Sequence, residues 1–461
     1  MNYPRISIVS RMVLNTIVVV SSVGAPAVLF AQPRPASVAP VSSAPPANVS
    51  EDLPRPHSEV SFSFDEALAA MRRAHPMLRV AQDNERAATH MVRAAGMWTN
   101  PMLNLGYTRA ITDPSVGAAD PILGYSQLGA SQLIETAGVP SARRNAAEYE
   151  RRAVHAEGIG TERWLGLDLR DAAIALVEAA TRLEVVRLTA TDLENADRIV
   201  NARVGAGAAP HYDASRIAVA LAQARADVAD AEADMITART AFDVAVGPEA
   251  GSLQGLPRFD LFEEMPLPTL DELLSQLGET RPDVIAARER SRGSLAMADV
   301  ARRMVFQGIT VYGGVAIGGN NYSQVTPRVG GTEIDVAVGV AFPLPLVDRG
   351  QGSIPAAEAR AAAQRDYADA VRLAAAQRVA STYQEVLRRR ATFEAYLQTG
   401  AVQAHGMRRE AEAGYREGRL SVLELVDAYM AVRDGRLRAV FLAYDVRRAE
   451  GVLMRAAGRA L

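Results

Sequence analysis

The chain has 461 residues and a net charge of −3, with 50 basic against 53 acidic side chains, so it carries no surplus of positive charge for nucleic acid. Apolar residues make up 49% but aromatics only 5%, a balance that favours slim, closely packed helices over a bulky core. Cysteine is absent, which excludes disulfides, thiol catalysis, Cys-based metal sites and a lipid-bearing N-terminal Cys. The six His residues (57, 75, 90, 155, 211 and 405) are scattered without metal-ligand spacing. No nucleophile, base or cofactor motif stands beside them, so the chain does not read as an enzyme and no cofactor is expected.

The N-terminus reads as an address. Arg5 and Arg11 precede the apolar run Met12–Val20, and small residues follow to Ala27 and Ala31. A short basic flank, a short apolar core and small exit residues fit a cleaved secretory signal over residues 1–31. The run is too short to span a bilayer comfortably as an anchor. Residues 32–60 are rich in Pro, Ala and Ser and read as a linker.

From residue 61 the chain repeats its layout. Phe64-Asp65-Glu66-Ala67-Leu68 and His75-Pro76 recur 206 positions on (64 to 270) as Leu270-Asp271-Glu272-Leu273-Leu274 and Arg281-Pro282. Gly207, Asp213 and Gly247 recur at an offset of 211 (207 to 418) as Gly418, Glu424 and Gly458. The halves are therefore 61–248 and 269–461, with 249–268 between them. Between the glycines, Ile217, Leu221, Ala224, Val228, Ala231, Met235, Ala238 and Phe242 follow a 4-3-4-3 spacing. Ala428, Val432, Gly435, Ala439, Leu442, Val446, Ala449 and Leu453 do the same in the second half. That spacing predicts coiled-coil packing. Residues 141–204 and 355–416 predict a second, longer helix in each half, about 90 Å for 60 residues.

Four segments alternate with period two. They are Met102–Thr108, Tyr125–Leu133, Ile309–Ile317 and a fourth in which Ile334, Val336, Val338, Val340 and Phe342 share one face. Apolar residues opposite small or polar ones over about ten residues mark membrane β-barrel strands. By parity Glu333 and Asp335 face the barrel lumen. Four strands cannot close a barrel, and open edges in hydrocarbon cost several kcal/mol per unpaired backbone group, so several copies must pool their strands. The small residues on the heptad faces predict that those faces carry the contacts between copies.

Over 61–461 this ordered set resembles the outer-membrane efflux protein family, the TolC-like channels. The resemblance rests on the doubled layout, Asn100-Pro101 before the first strand, the segment Tyr415–Ala428 and the closing Leu453–Gly458. It implies a mixed α and β membrane protein with two internal structural repeats. A homotrimer would form a twelve-stranded outer-membrane β-barrel, continued into the periplasm by a long α-helical coiled-coil tunnel, with an equatorial belt that includes 249–268. As partners it implies a periplasmic membrane-fusion adaptor, an inner-membrane RND pump and outer-membrane lipids. The function implied is passive export from periplasm to exterior as the exit duct of a tripartite pump.

Ser131-Gln132-Leu133-Ile134-Glu135-Thr136-Ala137-Gly138 followed by Arg143 resembles the heavy-metal efflux branch. Ala137 replaces one Gly of that branch's pattern, and Val139-Pro140 stands where Lys-Arg is usual. Drug or other small-molecule efflux, or type I secretion, is the alternative within the family. A soluble periplasmic coiled-coil adaptor is the alternative outside it.

Glu424 and Asp427, six and nine residues after Gly418, match positions where the resemblance implies acids lining a periplasmic constriction. A carboxylate ring favours cations, whereas acids in a first helical turn also complement the helix dipole. The dipole role is preferred for Asp213. Arg419 either pairs with the two acids and holds a closed state, or is an exposed turn residue. Trp98 suits a membrane-interface aromatic or a packed helix end. Sequencing of the mature N-terminus is expected to place cleavage between Ala27 and Gln32; residues before Ala25 on the mature chain would contradict the signal assignment.

Overall fold

The computed structural model describes residues 61–109, 124–263, 265–319 and 332–459. The signal segment 1–31 and the linker 32–60 lie outside the described residues. Each half opens with a short helix whose first turn is capped by a hydroxyl. In α1 (Phe64–Ala74), Ser63 and Glu66 form a reciprocal capping box. In α5 (Leu270–Thr280), the Thr269 hydroxyl accepts from the Glu272 N–H. Helices α2 (Pro76–Ala95) and α6 (Pro282–Arg303) follow, each with Pro in its first turn, where the missing N–H costs nothing. The 206-residue offset thus reappears in both helix starts.

The four alternating segments are all strands: β2 (Met102–Arg109), β3 (Gly124–Ile134), β5 (Ile309–Gly319) and β6 (Thr332–Ala341). They form one antiparallel sheet in the order β2-β3-β5-β6. Register aligns Leu105, Leu128, Val315 and Val336 in one row and Gly106, Gln127, Ala316 and Asp335 in the next. Glu333 pairs with Gly318 in the register. The apolar face is open: Leu105, Val336 and Val338 are all more than two-thirds exposed. On the other face the Tyr312 ring lies over Gly339, where an added Cβ would meet it at 2.5 Å, and the Gln127 side chain lies over Gly106 in the same way. Phe342, expected on the fourth strand, falls just beyond the ladder.

Helix α3 (Val139–Gly205) runs unbroken for 67 residues, about 100 Å at 1.5 Å per residue. Its counterpart does not. Helix α7 (Ser353–Tyr396) gives way to a π-helical turn at Leu397–Ala401 before α8 (Val402–Arg416). The Tyr396 ring sits where a Cβ on Gly400 would be, 2.7 Å away, and its hydroxyl donates to the Gly435 carbonyl at 3.0 Å. Glycine at 400 leaves room for that ring, a detail invisible to heptad spacing. The two heptad helices are α4 (His211–Val246) and α9 (Val422–Ala457).

The heptad faces do not join copies; they are seams within the chain. Ala231 packs against Leu183 and Val186 of α3. Ala439 packs against Leu397, Phe262, Phe393 and Tyr396. Both alanines are at most 2% exposed. The small residues let neighbouring helices of one chain approach closely. Helix α9 is buried on two sides, since Val440 and Ala443 also meet Ile174, Val177 and Val185. Helix α4 keeps Val219, Ile236 and Val244 exposed on its second side.

Between the halves, β1 (Ser61–Phe62) and β4 (Leu256–Pro257) form a two-residue parallel pair. The strap that follows is held by buried charge. Arg447 donates to the Leu261 carbonyl (3.0 Å) and Arg390 to the Met265 carbonyl (2.5 Å), while both pair with Glu450, at 2.9 and 2.5 Å. Arg170 is buried in the same cluster, 4.0 Å from Glu450 and over the Phe259 ring. Burial of the neighbouring Asp171 pushes its carboxyl above the usual range, opposed by the adjacent guanidinium. Ala231→Trp or Ala439→Trp therefore overpacks the protomer itself. Each is expected to lower its unfolding free energy by about 1–3 kcal/mol in denaturant titrations, with no selective loss of assembly.

Candidate functional site: the hairpin tips and the strand-to-helix junction

The two helical hairpins end in the same turn. Gly207 (φ +72°) and Gly418 (φ +75°) occupy the left-handed region after α3 and α8, where glycine carries no Cβ penalty. The Ala208 N–H donates to the Arg203 carbonyl and the Arg419 N–H to the Gly414 carbonyl, both at 2.8 Å.

At the second tip, Ser421 caps α9. Its N–H and hydroxyl donate to Glu424 Oε2 at 2.7 and 2.8 Å, and the Glu424 N–H returns a bond to the Ser421 hydroxyl at 3.3 Å. The Ser421 backbone N–H, seconded by the hydroxyl, holds the Glu424 carboxyl below its ordinary range. A lowered folded-state pKa stabilises the helix start above the ordinary carboxylate range, and this is lost as pH falls through the lowered value. Glu424 thus has the cap role. Both it and Asp427, one turn on, are exposed on the same face of α9.

Arg419 pairs with neither acid. Its Nε donates to Glu417 at 2.6 Å, two residues away in the exposed turn. The tie between the tips comes from elsewhere. The Arg203 guanidinium lies 4.7 Å over the Tyr415 ring and donates to the carbonyls of Tyr415 and Ala208. The Tyr415 hydroxyl donates to Asp213 at 3.4 Å, so Asp213 joins the two tips as well as standing in the first turn of α4. Further ion pairs join the hairpins, Arg408 to Asp192 at 2.8 Å and Arg433 to Asp227 at 2.7 Å. These partners lie about 200 residues apart in sequence and carry no local signal.

At the other end, the Ser131–Arg143 motif forms the join between β3 and α3. Arg143 makes a bidentate pair with Glu135 (2.7 and 2.8 Å) and donates to the carbonyls of Ala95 and Met97. Gln132 donates to the Thr99 carbonyl at 2.7 Å. The motif ties strand, long helix and the end of α2 together. Trp98 is exposed beside it, between α2 and β2. Ala137 takes φ +56° next to Gly138 at +69°, and Arg303 donates to the Ala137 carbonyl at 2.9 Å. Among the described residues, no group of three or more His, Asp and Glu side chains is arranged to hold a metal ion, and no helix is long and apolar enough to cross a membrane.

The chain is a doubled helical hairpin that carries an open-edged antiparallel sheet. The chain belongs to the outer membrane efflux protein family, whose model matches residues 68–248 and 273–459. The cobalt-zinc-cadmium resistance protein CzcC of Cupriavidus metallidurans is 26% identical over 332 residues, covering 71% of this chain and 75% of that protein. Crystal structures of CusC share the fold at a TM-score of 0.69 and 17% identity, over 87% of this chain and 93% of theirs. The outer membrane protein VceC from Vibrio cholerae does so at 0.68 and 18%, over 86% and 96%. The family is one of transport rather than catalysis.

A left-handed conformation costs an L residue about 1–2 kcal/mol. Ala137→Gly is therefore expected to raise stability by about 1 kcal/mol in thermal or denaturant unfolding, net of glycine's extra chain entropy. A loss of stability would show that the Ala137 methyl group is used in packing.

Proposed function

We propose that the chain is one of three identical protomers of an outer-membrane exit duct in a tripartite RND-type efflux system, conducting heavy-metal cations passively from periplasm to exterior. A periplasmic adaptor and an inner-membrane pump supply the drive. Membership of the efflux family and the similarity to a cobalt-zinc-cadmium resistance protein support this reading. Drug or other small-molecule efflux is the second reading, favoured by the departures at Ala137 and Val139-Pro140 from the metal branch.

The internal repeat supports assembly, with copies meeting at the open sheet edges and along α2. Helix α6 packs between α3 and α7, whereas its counterpart α2 packs on α3 and has no second helix in comparable contact among the described residues. Met77, Val80 and Met91 of α2 stay exposed. The sheet also ends in two open edges, β2 and β6. A second copy that pairs its β6 with this β2 would set its α7 against α2, repeating the contact already made by α6. Three such contacts close twelve strands and leave Glu333 and Asp335 on the polar inner face.

The observation that carries the cation reading is the exposed pair Glu424 and Asp427 on one face of α9, beside the hairpin tip. Two acids from each of three copies would ring the periplasmic aperture with carboxylates. Arg419, bound to Glu417, would stand at the rim. Glu424→Gln with Asp427→Asn removes the charge and keeps the shape, since Gln also closes a capping box. In planar bilayers the double variant is expected to lose cation selectivity and to resist block by trivalent cations from the periplasmic side, with unchanged trimer yield. Selectivity and block both equal to the parent would leave the two acids as helix caps only.

A further inference from the structure

The two strand-to-helix junctions differ sharply, and only the first is explained by its ion pairs. After β3 the chain turns inward through Glu135, held by Arg143. After β6 it runs on as Phe342-Pro343-Leu344-Pro345-Leu346-Val347-Asp348-Arg349. The ladder ends at the Thr310–Ala341 pair, yet the period of two continues, with Phe342, Leu344 and Leu346 on the parity of Ile334, Val336, Val338 and Val340. These side chains are open, at 55%, 64% and 69% exposure, and Val347 reaches 87%.

Part of the backbone of this loop is satisfied locally. Pro343 and Pro345 have no N–H to satisfy. The Leu346 N–H donates to the Leu344 carbonyl (2.8 Å), the Arg349 guanidinium to the Leu346 carbonyl (3.3 Å) and the Gln351 side-chain amide to the Val347 carbonyl (2.7 Å). The Arg349 and Gly350 N–H groups are taken by Gln351 and Asp348. Four large apolar side chains turned outward in line with the apolar strand face are favoured by lipid over water.

We propose that residues 342–349 form a lipid-seated collar, inserted into the periplasmic leaflet below the strands. The proposal rests on the reading of this sheet as part of an outer-membrane barrel. Three residues beyond the ladder extend the apolar face by about 10 Å, from hydrocarbon to headgroup level. There Asp348 and Arg349 are exposed, and the Arg349 side chain can reach lipid phosphate while its stem stays among the apolar residues. The partner surface is phospholipid, and the loop fixes the depth at which the sheet sits, at the one junction that lacks an inward ion pair.

The chain has no cysteine, so single nitroxide labels report on one site each. Val347→Cys, Leu344→Cys and, on the strand, Val336→Cys are labelled in the full-length assembly in vesicles of phosphatidylethanolamine and phosphatidylglycerol. Spin relaxation by molecular oxygen and by a water-soluble nickel chelate is then compared. Oxygen-dominated relaxation at 347 and 344, as at 336, is the expected result. Nickel-dominated relaxation at 347 and 344 with oxygen-dominated relaxation at 336 overturns the collar and keeps the barrel. Low access to both reagents with spin–spin broadening at 347 means that a second copy covers the loop, and also overturns it. Nickel-dominated relaxation at 336 overturns the barrel reading and the collar together.

Discussion

Hydrocarbon offers no partner to a backbone N–H or C=O, and this chain presents a four-stranded sheet whose outer strands each have a bare edge. The apolar row Leu105–Leu128–Val315–Val336 favours lipid, but the edges that come with it do not. In the proposed assembly, closure by further copies would reconcile the two. Helix α2 lacks the second neighbour that α6 has, and α4 exposes the side that α9 buries. A neighbouring copy in the proposed assembly would account for both, since the repeat is completed on one side within the chain and left open on the other.

Repetition within the chain supplies the template, and the departures from it mark where each half has its own task. The long helix of the first half is continuous, whereas that of the second yields at the π-turn beside Tyr396. The strap between the halves is caught by Arg447 and Arg390, which share the single carboxylate of Glu450. Burying three guanidiniums around one glutamate is costly unless the geometry is well satisfied. Here two of the three also hold strap carbonyls, so the same charges that would destabilise an empty core fix the linker across three helices.

A passive duct needs a shaped lumen, a selective aperture and surfaces for its partners, and it needs no reacting group. In the proposed duct, the exposed carboxylates on a capped helix start would supply the selectivity. The interlocking of the hairpins through Arg203, Tyr415 and Asp213 lies immediately beside them. Glu424 shows that capping and charge display are compatible: one carboxylate oxygen closes the Ser421 box while the side chain stays in solvent.

The sequence by itself determined the elements, because each has a local cause. Period-two alternation identified all four strands, and the 206- and 211-residue offsets revealed the doubled layout and the glycines of both tip turns. The positions of Glu424 in a first turn and of Asp335 on a strand were legible for the same reason. Tertiary structure alone decided which faces meet. A heptad stripe says that a helix has a partner and not whose it is, so Ala231 and Ala439 proved to seal one chain rather than join copies. Arg419 found Glu417 instead of Glu424, and the ties of Arg203 to Tyr415 and Tyr415 to Asp213 bridge some 200 residues of chain. Such contacts depend on where two rigid hairpins are laid side by side, which short-range spacing does not encode.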